Sequence, residues 1–201
     1  MISVIDYGVG NIGSILNMLR KIGAPGTAVS DPQAIAEASK LILPGVGAFD
    51  AGMEALNNTG AGPALLSAVE NGTPVLGICL GMQLMTQGSE EGRMPGLGLV
   101  SGHCARFELR DKGLRVPHMG WNVATPKADA QLFDPDEPEH RFYFVHTYHV
   151  ICDEAEDVAA TTEYGHDFTC ALARGTLFGV QFHPEKSHRF GMELLRRYAE
   201  V

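Results

Sequence analysis

Three short stretches of this 201-residue chain carry residue types that could do chemistry together. Gly77-Ile78-Cys79-Leu80-Gly81 lies between an apolar run and a helical pattern. That is the arrangement of a nucleophile elbow with cysteine in the serine position. Glycines two before and two after the cysteine permit a tight turn that presents the sulfur at a helix N-terminus, where the dipole and free N–H groups favour a thiolate. Read alone, the same cysteine equally suits a small buried apolar position. A thiol nucleophile needs a base, and His183-Pro184-Glu185 closes the apolar run Phe178–Phe182. In extended backbone, positions i and i+2 point the same way, so Glu185 can reach the imidazole of His183. It would then fix the tautomer and leave the second ring nitrogen to exchange a proton with sulfur. Pro184 keeps the residue before it extended. An isolated His-Pro-Glu is otherwise an ordinary surface contact. The third stretch, Pro44-Gly45-Val46-Gly47-Ala48-Phe49, follows a buried strand. Its backbone N–H groups could hold an oxyanion, although any strand-to-helix turn needing positive φ would look similar.

The elements that must position these groups follow from periodicity. Ile2 to Tyr7, Leu41 to Leu43 and Pro74 to Ile78 read as short strands. Asn11 can cap a helix to about Lys21, and Gly23 and Pro25 end it. Asp31-Pro32 opens a helix to about Ser39, with Asp31 as its cap. Further helices are expected at Ala61 to Asn71 and Leu80 to Gln87. Continuous apolar strands alternating with helices indicate βαβ units and a parallel sheet covered on both faces. From about Leu97 the pattern changes to strand-like pieces joined by short turns, at Cys104 to Leu109, Phe142 to Ile151, Val158 to Glu163, Phe168 to Arg174 and Thr176 to Gln181. A helix from about Ser187 to Glu200 closes the chain, and Ala124 to Glu139 reads as a surface loop. The expected fold is α/β and three-layered, a mostly parallel mixed sheet flanked by helices with antiparallel strands added in the C-terminal half, as one domain over residues 1–201.

Composition bounds the function. Hydrophobic residues make up 45% and charged residues 19%, enough for a substantial core. A formal net charge of −9 argues against nucleic acid or an anionic membrane as principal partner. The opening residues lack the basic and long apolar regions of a signal peptide, and no apolar run approaches the ~18 residues of a membrane span. A cytoplasmic location is therefore expected, with Cys79, Cys104, Cys152 and Cys170 as reduced thiols.

Together and in this order, Leu76 to Met85 (LGICLGMQLM), Leu43 to Phe49 (LPGVGAF) and Gly179 to Ser187 (GVQFHPEKS) closely resemble the class I, triad-type glutamine amidotransferases. Ile5 to Asn11 (IDYGVGN), His118 to Asn122 (HMGWN) and Tyr143 to His149 (YFVHTYH) extend the resemblance over nearly the whole chain. They draw it nearest to the glutaminase subunits of imidazole glycerol phosphate synthases. The resemblance implies Cys79 as nucleophile through a γ-glutamyl thioester, His183 as acid and base, and Glu185 as its orienting carboxylate. It implies an oxyanion site from the backbone of Leu80 and of Gly45, Val46 and Gly47, and glutamine binding by Gln83, Glu91 and the Thr147-Tyr148 backbone. An acid such as Glu91 suits the substrate's α-ammonium. The resemblance also implies a partner, a (β/α)₈-barrel synthase (cyclase) subunit that takes the ammonia in histidine biosynthesis. Gly10, Asn11, Trp121, Asn122 and Tyr143 match positions facing that subunit, and no cofactor is implied. Trp121, the single tryptophan, suits a docking anchor, or alternatively fills the core.

Two other motifs compete. Gly8-Val9-Gly10-Asn11-Ile12-Gly13 is a literal GxGxxG between strand and helix, with Asp31 about twenty residues on, as in NAD-binding Rossmann oxidoreductases. Asp31 precedes Pro32 and reads better as a helix cap, and that alternative leaves the Cys, His-x-Glu and PGVG set unexplained. An inactive binding subunit of the same fold is the other alternative. His146 and His149 could suggest a metal, but residues three apart in a strand face opposite sides, and His118 and His103 lack suitably spaced partners, so no metal is expected.

Overall fold

The computed structural model describes residues 1–109 and 113–201. Its first half alternates strand and helix: β1 (Ile2–Ile5), α1 (Ile12–Lys21), β2 (Gly26–Val29), α2 (Pro32–Ala36), β3 (Leu41–Gly45), α3 (Phe49–Asn58), α4 (Ala61–Glu70), β4 (Val75–Cys79) and α5 (Leu80–Leu84). The second half is mostly strand: β5 (Gly102–Arg106), β6 (His118–Pro126), β7 (His140–His146), β8 (Tyr148–Cys152), β9 (Val158–Glu163), β10 (Asp167–Arg174) and β11 (Leu177–Val180), before α6 (His188–Glu200).

Strands run in the order β2-β1-β3-β4-β11-β10-β9-β6-β7, with β8 joining β10 to β5. The block from β2 to β11 is parallel, and every later pairing is antiparallel. Alternation along the parallel strands builds two cores. Ile42, Leu76, Ile78, Phe178 and Val180 face α1 and α6, where Ile15, Leu19, Leu194 and Leu195 meet them. Leu41, Leu43, Val75 and Leu177 face the opposite side, against Ile35, Phe49, Leu56, Leu65 and Leu84 of the other four helices. Burial on both faces is why these strands read as unbroken apolar runs.

Several expectations need correction. Phe142 to Ile151 is not one strand but two, broken at Thr147: β7 pairs with β6, while β8 leaves to pair with β5 and β10. Ala124 to Pro126 belong to β6, so the loop begins only at residue 127, and Leu132 and Phe133 within it are buried. α2 stops at Ala36 and α5 at Leu84, both short of expectation. Asn11 occupies the cap position of α1, but its side chain makes no capping bond. Asp31 does cap α2, accepting from the Ala34 N–H at 3.1 Å. α3 and the edge strand β2 had no expectation. β2 is exposed and carries only Gly-Thr-Ala-Val, too little apolar pattern to register.

The closing helix is locked to the sheet by one buried hydroxyl. Tyr198 is fully buried and donates to the Leu41 carbonyl and, at 3.0 Å, to the Pro74 carbonyl, at the entrances of β3 and β4. Tyr198→Phe is expected to cost about 1–2 kcal/mol, because two buried carbonyls lose their shared donor. A urea titration with a lower midpoint and an unchanged slope would show it.

Candidate active site

Cys79 ends β4 in a conformation that side chains rarely adopt, with φ +55° and ψ −110°. Such strain costs about 1–3 kcal/mol and persists only where surroundings impose it. Here they do, because α5 folds back directly onto the sheet. A Cβ on Gly81 would sit 1.9 Å from the Leu43 carbonyl oxygen, and one on Gly77 would meet Met85 Sδ at 2.6 Å and Met82 N at 2.7 Å. Both elbow glycines are therefore demanded by close backbone approach.

Gly45 ends the neighbouring strand in register with Cys79. It too lacks room for a side chain, with Gly81 N and Leu80 Cβ both 2.8 Å from where its Cβ would be. Tyr7, which sequence reasoning did not single out, donates its hydroxyl to the Pro44 carbonyl at 2.6 Å. Burial first, and then the nearby Cys79 charge, push its ionisation well above the usual phenol range, so it remains a donor. Beyond Gly45 the chain turns outward: Val46 and Gly47 are exposed, and Gly47 has φ +102°.

His183 follows β11, which pairs in parallel with β4, so sulfur and imidazole emerge at the same sheet edge. The His183 Nδ1 and Glu185 Oε1 are 2.8 Å apart, and both side chains are almost wholly buried. The turn is held from behind. The His183 N–H donates to the Tyr143 carbonyl at 2.9 Å, Ser187 Oγ donates to the His183 carbonyl at 2.6 Å, and the Tyr143 N–H donates to Ser187 Oγ at 3.0 Å. The His183 Nε2 is buried without a full hydrogen bond of its own. Burial works against a charged ring, but the neighbouring Cys79 sulfur and the Glu185 carboxylate outweigh it and push His183 up to about 9.

Cys79, Leu80, His183, Val46, Gly47, Gln83, Glu91, Thr147 and Tyr148 line one cavity of about 310 Å³, at the small end of the range for ligand pockets. The structure thus brings together the three residues of the expected triad and all of the expected substrate positions, with Gly45 immediately behind. Three of these positions are already engaged. Glu91 Oε2 accepts the Phe49 N–H at the start of α3, at 2.9 Å. The Tyr148 carbonyl accepts both Gln83 Nε2–H, at 3.0 Å, and the ring of His146, at 2.8 Å. Gln181, fully buried, was also missed. Its Nε2 lies 3.8 Å from Cys79 Sγ and its Oε1 accepts from Gln83 Nε2 at 3.0 Å. Its place two residues before His183, on the same side of an extended strand, was the available signal.

The expected partner positions fall around the same turn. α1, which follows Gly10 and Asn11, and β7, which carries Tyr143, both pack against Pro184–Lys186. Trp121 lies opposite Tyr143 in the β6–β7 ladder, is 42% exposed, and stacks on His188 at 5.6 Å. Asn122 points to the other side of β6, donating to the Glu163 carbonyl at 2.9 Å. His146 and His149 do not face opposite sides as expected, because the break at Thr147 lets both rings pack on Phe107, at 5.2 and 4.7 Å. Among the described residues, no three His, Cys, Asp or Glu side chains are placed to hold a metal ion.

The family model for class I glutamine amidotransferases matches residues 3–199 of the chain. The chain belongs to that family. Within it, a relative from Methanococcus maripaludis is 49% identical over 98% of both chains, and one from Pseudomonas aeruginosa is 48% identical over the whole of both. Both are named imidazole glycerol phosphate synthase subunit HisH 2, and the chain belongs with these HisH subunits. The fold is also that of a solved glutamine amidotransferase, at TM-score 0.72 and 18% identity over 100% of this chain and 99% of that one. PurLQS from Thermotoga maritima agrees at TM-score 0.73 and 17% identity, over 99% and 97%. The dinucleotide-binding alternative is set aside by this membership. Asp31 is occupied as a cap, and a Cβ on Gly10 would strike Pro44 Cβ at 2.9 Å, so that glycine serves packing against the Pro44 turn.

The raised value of His183 fixes a pH dependence. An unfolded imidazole titrates near 6.5 and the folded one near 9. The stability from binding this proton is therefore fully present below about pH 6.5 and lost as pH rises through about 9. Glu185→Gln removes one of the charges favouring the imidazolium and is expected to lower the His183 midpoint. An NMR titration of the ring would show the downward shift, and an unmoved midpoint would refute the electrostatic account.

Proposed function

We propose that the chain hydrolyses glutamine to glutamate and ammonia on Cys79 and delivers the ammonia to a (β/α)₈-barrel synthase subunit, in the formation of imidazole glycerol phosphate and aminoimidazole carboxamide ribotide for histidine biosynthesis. The observation that carries the chemistry is the 2.8 Å His183–Glu185 pair, with the free ring nitrogen in the same cavity as the elbow sulfur. Sulfur attacks the side-chain amide carbon, and the tetrahedral oxyanion forms beside the N–H groups of Leu80 and the Gly45-Val46-Gly47 turn. His183, charged at neutral pH, gives its proton to the departing nitrogen, leaving the γ-glutamyl thioester. The now neutral ring takes a proton from water, whose attack releases glutamate, frees the sulfur nucleophile and leaves the ring charged as at the start. Glu185 holds Nδ1–H throughout, so the other nitrogen does the transfers.

Glu91 keeps one oxygen for the substrate's α-ammonium while the other accepts the Phe49 N–H. With the Tyr148 carbonyl already taken by two donors, the Thr147–Tyr148 segment serves glutamine through its remaining backbone groups and through shape.

A docking face fits the synthase. Met119, Trp121 and Val123 alternate outward along β6 at 62%, 42% and 37% exposure, opposite Val145, Tyr143 and Arg141 of β7. A contiguous exposed apolar stripe of this kind marks an interaction surface. Gly10, Asn11 and Tyr143 border it through the shared His183–Lys186 turn, and Asn122 supports it from behind. Among the described residues no helix is long and apolar enough to cross a membrane. A cytoplasmic, single-domain subunit is the reading that accords with four free cysteines.

Cys79→Ala is expected to lower glutamine-dependent synthesis by the complex at least 10³-fold while ammonia-dependent synthesis persists. Loss of both would mean that the cysteine is chiefly structural. Trp121→Ala is expected to weaken synthase binding about 30-fold or more, as for a hot-spot aromatic, in a titration calorimeter.

A further inference from the structure

Behind the docking stripe, the inward side of β6 carries polar groups where apolar ones would be expected. His118 and His146 are both buried, in a nest formed by Phe107, Phe144, Tyr164 and Phe168. His118 stacks on Phe144 at 4.8 Å and on Tyr164 at 4.0 Å. Polar groups so placed are costly unless every one of them is bonded. Burial holds His118 down at about 4 and His146 at about 3, so at neutral pH each ring is uncharged and carries one N–H.

That restriction fixes every proton. The Tyr148 carbonyl can only accept, so His146 Nδ1, 2.8 Å away, bears the hydrogen. His146 Nε2 is then bare and accepts from His118 Nδ1–H at 3.0 Å. His118 Nε2 is bare in turn and accepts from Asn122 Nδ2–H at 3.2 Å. On the far side, the same carbonyl accepts one hydrogen of Gln83 Nε2 at 3.0 Å, and the other goes to Gln181 Oε1 at 3.0 Å. Gln181 Nε2 then donates to Cys79 Sγ at 3.8 Å. A continuous hydrogen-bonded chain thus runs from the strand of the docking stripe to the nucleophile, with the Tyr148 carbonyl accepting from His146 on one side and Gln83 on the other.

We propose that Asn122, His118 and His146 are positioning residues, a neutral histidine relay that sets the Tyr148 carbonyl, Gln83 and Gln181 around the glutamine site according to how β6 is seated on the synthase. The inference rests on the glutaminase and docking reading above. The sensitive part is the polarity of the histidine pair, which is held by an acceptor at one end and the Asn122 donor at the other. Reversing it would point a bare His146 nitrogen at the Tyr148 carbonyl, so loss of the Asn122 donor loosens the whole chain. Replacing both rings with phenylalanine removes the relay without stranding a buried donor, which leaves fold and docking intact.

Two measurements on the full chain test this. In ¹⁵N imidazole spectra, both His118 and His146 are expected as Nδ1–H tautomers, the form that free neutral histidine disfavours; an Nε2–H tautomer on either ring would overturn the relay. In the complex, H118F/H146F at saturating synthase is expected to retain its thermal midpoint, its synthase affinity and ammonia-dependent synthesis. Glutamine hydrolysis is expected to be faster in the wild-type complex than in the free subunit, and in the variant the factor between the two should fall at least tenfold. An unchanged factor in the folded variant, or a loss that tracks weakened synthase binding, would sink the proposal. If that variant does not fold, Asn122→Leu gives the same readout from the solvent end, with at least a threefold loss expected and an unchanged factor contradicting the relay. A wild-type complex that fails to hydrolyse glutamine would instead refute the underlying functional reading.

Discussion

The closeness of α5 to β3 is the constraint on which the site depends. The backbone of Gly81 lies so near the Leu43 carbonyl that any side chain there is excluded. That contact forces the chain to reverse within one residue, and Cys79 absorbs the reversal at φ +55°. The strain stays because both flanking strands, β3 and β11, pair in register with β4 up to the turn. The same register delivers Gly45 and His183 to the sulfur from either side. The candidate elbow, oxyanion turn and base are therefore three consequences of adjacent parallel strands ending together, as open α/β sheets place their reactive groups.

Much of this was readable in residue types. Continuous apolar strands marked burial on both faces, and glycine spacing around Cys79 marked the elbow, because each reflects a local requirement of backbone or packing. Asp31 was legible as a cap for the same reason. Long-range pairing was less visible. The segment Phe142–Ile151 is uniformly strand-like, and only the sheet shows that Thr147 divides it between two neighbours. Tyr7 does not announce itself and Gln181 does so only by standing two residues before His183, since their partners are 37 and 98 or more positions distant and polar pairing carries no periodicity. The histidines were misjudged because strand alternation was assumed to run through the break.

The proposed docking face and the candidate site share covalent structure as well as hydrogen bonds. The ring of Tyr143 lies beside Trp121, while its own backbone N–H and carbonyl hold Ser187 and His183. A push on that ring is transmitted to the base through a single residue. The geometry is stiff, since Ser187 is wholly buried and bonded at both ends. On the proposed docking, substitutions on the stripe would act on turnover as well as on affinity, and the two effects would separate only at saturating partner.

The stacked indole on that stripe has a practical side. Because the chain contains one tryptophan, its indole emission originates from a single ring, stacked on His188. On the proposed docking, assembly would replace the solvent around that ring with protein, so the unlabelled subunit would carry its own optical gauge of complex formation. The same emission follows association in real time beside a turnover assay, without a dye to disturb either surface.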